Sequence, residues 1–533
     1  MQIHKLPYTQ IPQLSSTDIA YQLEDPRLRP FYQYRPALDA FGEIIQKKHF
    51  EADKRNVLAK LWRAQYTGMD LPPLVEKQLE KIAHPHSYTV TTAHQPYLFT
   101  GPLYFIYKIA GTIHLSRLLQ QHYPQYHFIP VFWMGGEDHD FEEVNHLHLF
   151  NKTLTWEDFQ GGSVSNYTIE SLQPVLEELY NILGESPEAD ELKMMLRSAF
   201  QPQYSYGEGM FRFIHALFGQ YGLLVLMPGA AEFKKQMQPI FENDLFQHDS
   251  KKIVDKTVEQ LIAAGFKNQA YVREVNLFYL ETNKRDRIEA LDEKYHIVSG
   301  ERFSAGFSKK EILHLLETQP ERFSPNVILR PLYQETILPN LAYIGGGGEI
   351  AYWLERKAQF EHFGVPFPML IRRNSVQLID TISKEKMNKL GISISGIFEA
   401  EEELIKAYVI NNTEVSLSFE EELAELEATF VKITEKTVQG DPTLEAMVAA
   451  QKAQLFNALD KLETRLMRAE KKKQETAINQ ISKLKEKLFP GGSLQERYES
   501  FIPSYLRHGR AFIDFLVEQL NPLEKDFWLL TED

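Results

Sequence analysis

The stretch 130–148 constrains the fold more than any other part of the chain. It reads PVFWMGGEDHDFEEVNHLH, so an apolar run, 131–134, ends at Gly135-Gly136 and is followed at once by ionisable side chains. Such a run is typical of a buried strand, and paired glycines permit a sharp turn. In α/β folds the functional side chains follow the carboxyl ends of strands. The stretch therefore predicts an α/β fold with one wall of an active site after this strand.

Strands and helices alternate through most of the chain. β-Branched residues predict a strand at 87–93, Pro102 fits the first turn of a helix over 103–121, and 127–133 is a second apolar strand. A helix-length crossover implies that the two strands are parallel. The fold class predicted is α/β, a doubly wound parallel sheet with two insertions. Further strands are predicted at 223–227, 270–282, 327–330, 342–344 and 369–372, and helices at 209–221, 230–264 and 350–363.

Long charged helices replace this alternation after about residue 395. They are predicted at 420–436 and 444–489, separated by the turn signal QGDP at 439–442. Along the second helix an apolar seam has heptad spacing, which predicts an antiparallel hairpin that also meets a second subunit in a homodimer. The seam residues are Leu455, Leu459, Leu462, Leu466 and Ala469.

These patterns predict a division of the chain into seven segments. In order they are 1–148 (first part of the core), 149–208 (insertion 1), 209–265 (core continued), 266–325 (insertion 2), 326–395 (core completed), 396–490 (coiled-coil arm) and 491–533 (C-terminal helices returning to the core).

Composition narrows the classes of partner. The net charge is −15 over 533 residues, which argues against general nucleic-acid or anionic-membrane binding and favours small-molecule or protein partners. Residues 1–20 show no signal-peptide pattern and no apolar run is long enough to span a membrane, so we expect a soluble cytoplasmic protein. There is no cysteine, which excludes disulfides, thiolate zinc sites and a cysteine nucleophile.

The ionisable cluster 137–148 has three interpretations. Asp138 and Asp140 flank His139, as in an imidazole whose tautomer a carboxylate fixes for acid–base catalysis. Alternatively, His139, Glu143 and His146 bind a divalent metal ion, or the acids form a solvated helix cap. We favour acid–base catalysis, with no metal, because the cluster follows directly on a buried strand.

Two other segments place a helix start beside a loop. His94 and Gln95 precede the helix that begins near Gly101-Pro102, and four glycines, 345–348, precede a helix that carries Glu349, Tyr352 and Trp353. Free amide groups at a helix start attract a phosphate or carboxylate. The glycine segment is neither a Walker loop nor a dinucleotide fingerprint. The alternative for the His94 segment is an ordinary strand–helix junction, and the alternative for the glycine segment is a flexible loop.

Arginines at predicted strand ends are candidates for binding anionic reactants. Arg330, Arg372 and Arg373 offer bidentate contacts to a carboxylate or phosphate, although ion pairs with local acids are the alternative. We expect the basic residues at 497–510 to pack against the helical arm rather than to bind a nucleotide.

Three segments resemble a known family. TTAHQPYLFTGPLYFIYKI (91–109), PVFWMGGEDHDFEEVNH (130–146) and RPLYQETILPNLAYIGGGGEIAYW (330–353), with the helical arm after them, resemble the bacillithiol biosynthesis cysteine-adding (BshC) family over essentially the whole chain. The resemblance implies a Rossmann-like core with two connecting-peptide insertions and a dimerising coiled coil. It also implies ligation of cysteine to the amino group of glucosaminyl malate, the last step of bacillithiol synthesis.

The sequence patterns and the family resemblance together predict roles for individual residues. We expect the first loop to hold an activating phosphate or the cysteine carboxyl group, His139 with Asp138 or Asp140 to accept the amine proton, and the glycine loop to hold the sugar or its malate carboxylates. ATP or another nucleotide is the expected activating cosubstrate. The predicted catalytic residues are His94, Asp138, His139, Asp140 and Asn145. The predicted substrate-binding residues are Gln95, Thr100, Gly101, Tyr104, Glu137, Arg330, Gly346, Gly347, Glu349, Tyr352 and Arg372. The rival functions are a metal-dependent hydrolase or amidase and a non-enzymatic coiled-coil scaffold.

Overall fold

The computed structural model describes residues 1–300, 302–304, 306–413 and 416–532. The chain divides into two compact units. The larger unit comprises Pro7–Val376 and Gln495–Trp528, and the smaller one comprises Met1–Leu6, Gln377–Leu494 and Leu529–Asp533.

Sixteen strands lie in the described residues. In chain order they are β1 Gln2–Pro7, β2 Ser87–His94, β3 His127–Met134, β4 His146–Leu149, β5 Lys152–Thr155, β6 Leu224–Leu226, β7 Leu277–Glu281, β8 Lys284–Leu291, β9 Lys294–Ser299, β10 Arg302–Phe303, β11 Phe307–Ser308, β12 Phe323–Pro325, β13 Asn340–Gly345, β14 Met369–Arg372, β15 Val376–Ile379 and β16 Asp526–Thr531.

The described residues also form twenty-three α-helices. They are α1 Ser16–Gln22, α2 Phe41–Lys47, α3 Ala52–Gln65, α4 Pro73–Lys81, α5 Leu103–His122, α6 Phe141–Val144, α7 Gln173–Leu183, α8 Pro187–Ala199, α9 Tyr206–Phe218, α10 Ala231–Lys235, α11 Gln238–Phe246, α12 Asp249–Ala263, α13 Lys309–Thr318, α14 Arg330–Ile337, α15 Gly347–Leu354, α16 Lys357–Phe363, α17 Thr381–Leu390, α18 Glu401–Asn411, α19 Glu420–Gly440, α20 Glu445–Lys473, α21 Glu475–Leu488, α22 Ile502–His508 and α23 Arg510–Gln519. No described helix is both long enough and apolar enough to cross a lipid bilayer.

A five-stranded parallel sheet, in the order β14-β13-β2-β3-β6, forms the core of the larger unit. The predicted α/β class with a Rossmann-like parallel sheet is therefore confirmed. In this register His94 lies beside Met134 and Gly345 beside Arg372, so four strands end along one edge. The loops that follow these strands converge at that edge, as in other open parallel sheets.

Helix α5 is buried against this sheet because nearly every turn carries apolar side chains. Phe105 and Ile109 are fully buried, and the Phe105 ring lies 4.9 Å from that of Phe132 in β3. Fully burying one such side chain contributes about 1.5–3 kcal/mol. The packing fixes the start of α5, and with it the loop after β2.

Several predicted elements have different bounds. Residues 327–330 are not a strand, since the Asn326 side chain accepts the Ile328 N–H group and helix α14 begins at Arg330, with Pro331 in its first turn. Only Leu277–Glu281 of the predicted strand 270–282 is extended. The predicted helix 230–264 is three helices, interrupted before α11, whose first turn contains Pro239, and at His248, which has φ 57°.

The segments predicted as insertions contain their own elements. The first includes strand β5, which pairs with β4, and helices α7 and α8; the second contains an antiparallel sheet in the order β10-β9-β8-β7-β12, with β11 also on β9. That they are insertions stays a prediction.

The smaller unit is mostly helical, which confirms the predicted helical C-terminal region. Helices α19 and α20 form a hairpin in which the Phe430 and Phe456 rings lie 6.5 Å apart and Lys452 pairs with Glu427. The prediction of one helix over 444–489 is wrong. The helix breaks at Gln474, where the side-chain amide donates to the Asn412 carbonyl at 3.1 Å. The same unit holds most of a three-stranded sheet, in the order β1-β16-β15.

Candidate active site

A cavity of about 460 Å³ opens at the carboxyl edge of the parallel sheet. Its wall includes His94 at the end of β2, Asp138 after β3 and Glu349 in helix α15. The three segments singled out in the sequence therefore meet at one place. A cavity of this size accommodates a small-molecule ligand.

The turn after β3 depends on close packing. A Cβ atom on Gly136 would lie 1.6 Å from the Ser165 hydroxyl oxygen, and the Gly136 carbonyl accepts the Ser163 hydroxyl at 2.6 Å. Neither Gly135 nor Gly136 has positive φ. Close approach of the following loop, rather than the backbone freedom predicted from the sequence, requires a glycine at 136.

His94 is a neutral imidazole in the cavity wall. Its Nδ1 lies 3.3 Å from the Gln95 carbonyl oxygen, so this nitrogen carries the proton, and Tyr104 donates its hydroxyl to Nε2 at 3.0 Å. Burial and the neighbouring Lys108 ammonium lower the pKa of His94 to about 3. The ring is therefore uncharged near pH 7.

The low pKa of His94 predicts a pH-dependent stability. Between pH 6.5 and about 3 the unfolded chain binds a proton here that the folded chain does not, so stability falls by about 1 kcal/mol per pH unit as pH decreases. In His94→Gln this contribution is absent. Thermal melts from pH 7.5 to 4.5 should show a shallower decline for the variant than for the wild type, and parallel curves would contradict the assignment.

The Asp138 carboxylate accepts hydrogen bonds from three residues at the site. Oδ2 accepts the Gln95 side-chain amide at 2.9 Å, while Oδ1 accepts the His139 backbone N–H at 2.8 Å and Arg285 Nη1 at 3.1 Å. Arg285 comes from β8, and its guanidinium carbon lies 4.0 Å from the centre of the Phe278 ring. Asp138 is thus held between two core loops and the antiparallel sheet.

His139 differs from its predicted arrangement. Arg285 Nη1 donates to His139 Nδ1 at 2.9 Å, so Nε2 carries the hydrogen, and burial and Arg285 lower the pKa of His139. The Asp138 carboxylate is 3.6 Å from Nδ1. Asp140 Oδ1 accepts the Glu143 N–H at the start of α6. The prediction that a carboxylate fixes the His139 tautomer is wrong, because an arginine does so.

A second cavity, of about 710 Å³, adjoins the first. Asp138, Arg285, Asn326 and Val327 line both cavities. The predicted catalytic residues are therefore divided. His94 lines only the first cavity, Asp138 lines both, and the remaining three line only the second, namely His139, Asp140 and Asn145.

The glycine segment forms the opposite wall of the first cavity. Gly345 ends β13, and the Glu349 carboxylate accepts the Gly346 N–H at 2.8 Å, the Tyr343 hydroxyl at 2.5 Å and the fully buried Lys108 ammonium at 2.7 Å. Burial alone would raise the pKa of Glu349, but Lys108 lowers it to about 2. Glu349 is therefore an ionised structural partner of Lys108.

Arg330 has only neutral hydrogen-bond partners at the cavity. It donates to the Gln334 side-chain oxygen at 3.0 Å and to the Tyr352 hydroxyl at 3.3 Å, and it has no carboxylate partner among the described residues. By contrast, Glu137 pairs with Lys234 at 2.7 Å. A half-buried arginine with only neutral partners is suited to bind an anion.

Four predicted substrate-binding residues lie outside both cavities. The Gly101 N–H donates to the Leu98 carbonyl at 2.9 Å and the Leu103 N–H to the Glu499 carbonyl at 2.7 Å, so the predicted anion site at the start of α5 lacks free amides. Arg372 is buried in an ion pair with Asp18 at 2.8 Å. The four residues are Thr100, Gly101, Gly347 and Arg372. The other seven line the first cavity: Gln95, Tyr104, Glu137, Arg330, Gly346, Glu349 and Tyr352.

The sequence did not predict a role for three basic residues that bind carboxylates of the site. Arg285 binds Asp138, Lys234 binds Glu137 and Lys108 binds Glu349. Lys108 lies two turns inside the helix that follows the His94 loop, so the sequence indicated it only weakly. No local pattern marks Lys234 or Arg285. Among the residues that the structure describes, no group of three or more histidine and carboxylate side chains could hold a metal ion.

Comparison with known proteins gives a consistent result. Residues 1–374 match the family model "Bacillithiol biosynthesis BshC, N-terminal Rossmann-like domain", and residues 376–532 match "Bacillithiol biosynthesis BshC, C-terminal coiled-coil domain". The chain is 38% identical to a Flavobacterium psychrophilum protein over 96% of each chain, and 37% identical to a Flavobacterium johnsoniae protein over 95% of each. A Cytophaga hutchinsonii protein is 32% identical over 98% of this chain and 97% of its own. All three are named "Putative cysteine ligase BshC".

Proposed function

This chain belongs to the bacillithiol biosynthesis BshC family, and on that premise we propose that it is a ligase joining the carboxyl group of cysteine to the glucosamine amine of glucosaminyl malate. One observation carries the proposal beyond the family. The carboxylate of Asp138 and the unpaired cation of Arg330 line the same cavity, so an amine and an anion can be bound together.

Amide formation needs a free amine, an activated carboxyl group and a proton acceptor. In our proposal the amine nitrogen attacks the carbonyl carbon of activated cysteine. The C–N bond forms, the bond from that carbon to the activating oxygen breaks, and its electron pair leaves on that oxygen. The proton passes to Asp138, whose position Gln95 and Arg285 fix.

The neutral histidines act as hydrogen-bond donors or acceptors in this scheme. His139 has its Nε2–H free to donate within the second cavity, because Arg285 occupies Nδ1. Asn145 lines the same cavity and orients the reactant bound there, whereas Asp140, also in its wall, caps helix α6. Arg330, with Tyr352 and Gly346, holds reactant carboxylates in the first cavity in preference to Arg372, which is already paired.

A nucleotide is proposed as the activating cosubstrate. ATP or a related nucleotide would supply the phosphoryl or adenylyl group that makes the cysteine carboxyl group electrophilic. The exposed Phe159 in the second cavity offers a ring face on which a nucleobase can stack. His94 and Gln95 line the first cavity, where the activating group would meet cysteine.

The direct test is reconstitution. The purified protein is incubated with cysteine, glucosaminyl malate and each nucleoside triphosphate in turn, and the product mass is measured. We expect condensation with loss of one water. A second test removes the protein from cells, where mass spectrometry should then find glucosaminyl malate but not bacillithiol. Bacillithiol persisting in such cells would refute the ligase assignment.

We also propose that the helical hairpin of α19 and α20 forms a homodimer. Met447, Leu455 and Leu462 are 55%, 39% and 52% exposed in the single chain, although the last two belong to the heptad seam. Leu455→Asp with Leu462→Asp should convert a particle of twice 61.9 kDa to a monomer by light scattering. Lys461→Asp, on the same helix but off the seam, is the control. A dimer that persists in the double variant would place the interface elsewhere.

A further inference from the structure

Arg373 contains a buried donor without an acceptor. Its terminal nitrogens donate to the Glu496 carboxylate at 2.8 and 3.0 Å and to the Asn374 carbonyl at 2.8 Å. Its Nε–H has no hydrogen-bond partner among the described residues, although the side chain is only 2% exposed. Buried donors of this kind are almost always satisfied in folded proteins. A missing partner therefore points to a ligand.

The orphaned N–H belongs to the first cavity. Arg373 lines it, and Nε lies 3.6 Å from the position that a Cβ atom on Gly346 would occupy. Helix α15 begins at the next residue; Gly347 faces the Asp18 carboxylate, whereas Gly348 lines the cavity and its N–H has no backbone acceptor among the described residues. A helix start of this kind favours an acceptor with negative charge.

Two of three neighbouring cations at this point are already paired with carboxylates. Lys108 pairs with Glu349 and Arg373 pairs with Glu496, whereas Arg330 has no carboxylate partner in the described part of the chain. Arg330 and Arg373 are both close enough to Lys108 to lower its pKa. Arg330 is therefore the one of these three cations that a carboxylate of a bound ligand can still neutralise.

We propose that Arg373 Nε–H, the Arg330 guanidinium and the start of α15 form a subsite for one carboxylate of the malyl group. This inference rests on the proposed function and adds Arg373 to it as a specificity-determining residue. The single orphaned N–H of Arg373 beside the Arg330 guanidinium matches the two oxygens of a planar carboxylate better than a tetrahedral phosphate, which needs more donors. Anchored there, the substrate directs its sugar amine along the cavity towards Asp138.

The test uses Arg373→Lys in the full chain. Lysine keeps a positive charge beside Glu496 but has no Nε–H, and the melting temperature shows whether the fold is retained. Arg197→Lys, in helix α8 beside Tyr180, is the matched control. The probes are L-malate and inorganic phosphate, titrated calorimetrically without turnover. We expect L-malate to bind the variant about tenfold more weakly than the wild type and the control, and phosphate not to compete with it.

Steady-state kinetics adds a second readout. The KM for glucosaminyl malate should rise about tenfold in Arg373→Lys, while the KM for cysteine stays unchanged. Equal L-malate affinity in both variants, or displacement of L-malate by phosphate, would overturn the subsite. Normal L-malate binding by a wild-type protein that makes no amide product would instead refute the ligase function and leave the subsite standing.

Discussion

Asp138→Asn is expected to lower kcat/KM for amide formation by a factor of about 10² to 10⁴. Asparagine has the same shape and can still accept a hydrogen bond from Arg285 through its side-chain oxygen, but it cannot accept a proton at neutral pH. The measurement is the initial rate of product formation under saturating cosubstrate. The melting temperature should change little, because the side chain is 40% exposed.

Asp140→Asn is the matched control for this experiment. It makes the same chemical change two residues away, at an exposed carboxylate that caps helix α6. We expect its activity to stay within about threefold of the wild type, with a cost of about 1 kcal/mol or less in stability. If Asp140→Asn lost activity and Asp138→Asn retained it, the proton acceptor would have to be reassigned.

Glu349→Gln is expected to destabilise the larger unit by about 3 kcal/mol. The substitution leaves the Lys108 ammonium fully buried without its counter-charge, and removing one partner of a buried pair costs more than the pair contributes. Chemical denaturation at pH 7 measures the effect. Because the folded-state pKa of Glu349 is depressed to about 2, its contribution is fully present above about pH 5 and is lost as pH falls through 2.

A double-mutant cycle separates the ion pair from general packing. Lys108→Met removes the charge but keeps an unbranched apolar chain, so the double variant Lys108→Met/Glu349→Gln should be less destabilised than the sum of the two single variants. A coupling of about 1–3 kcal/mol is the expected result. Additive effects would mean that the two side chains do not interact and would contradict the geometry.

The convergence of the site was predictable because parallel strands end at one edge. The apolar run before Gly135, the β-branched strand before His94 and the glycines after Ile344 each mark a strand end, and strand ends determine where the loops lie. No comparable rule locates Arg285, which is 147 residues from Asp138 in a strand of ordinary composition. Its contact arises only from the packing of one sheet on the loop of another.

Details that depend on a single side chain were also beyond sequence reasoning. The pattern at 444–489 is helical throughout, yet the helix breaks at Gln474, whose side-chain amide donates to the Asn412 carbonyl. Likewise, Arg372 and Arg373 are adjacent and chemically equal, yet the alternation of a strand end directs one to Asp18 and the other to the cavity. Which of the two remains available is a matter of tertiary packing.

The wall shared by the two cavities has a consequence for inhibitor chemistry. Since Asp138 and Arg285 border both, a compound that joins an acidic group for one cavity to a flat aromatic group for the other would engage both at once. Linking the two halves replaces a second bimolecular encounter with an intramolecular one, which raises affinity without any new contact, provided that the linker matches the thickness of this partition.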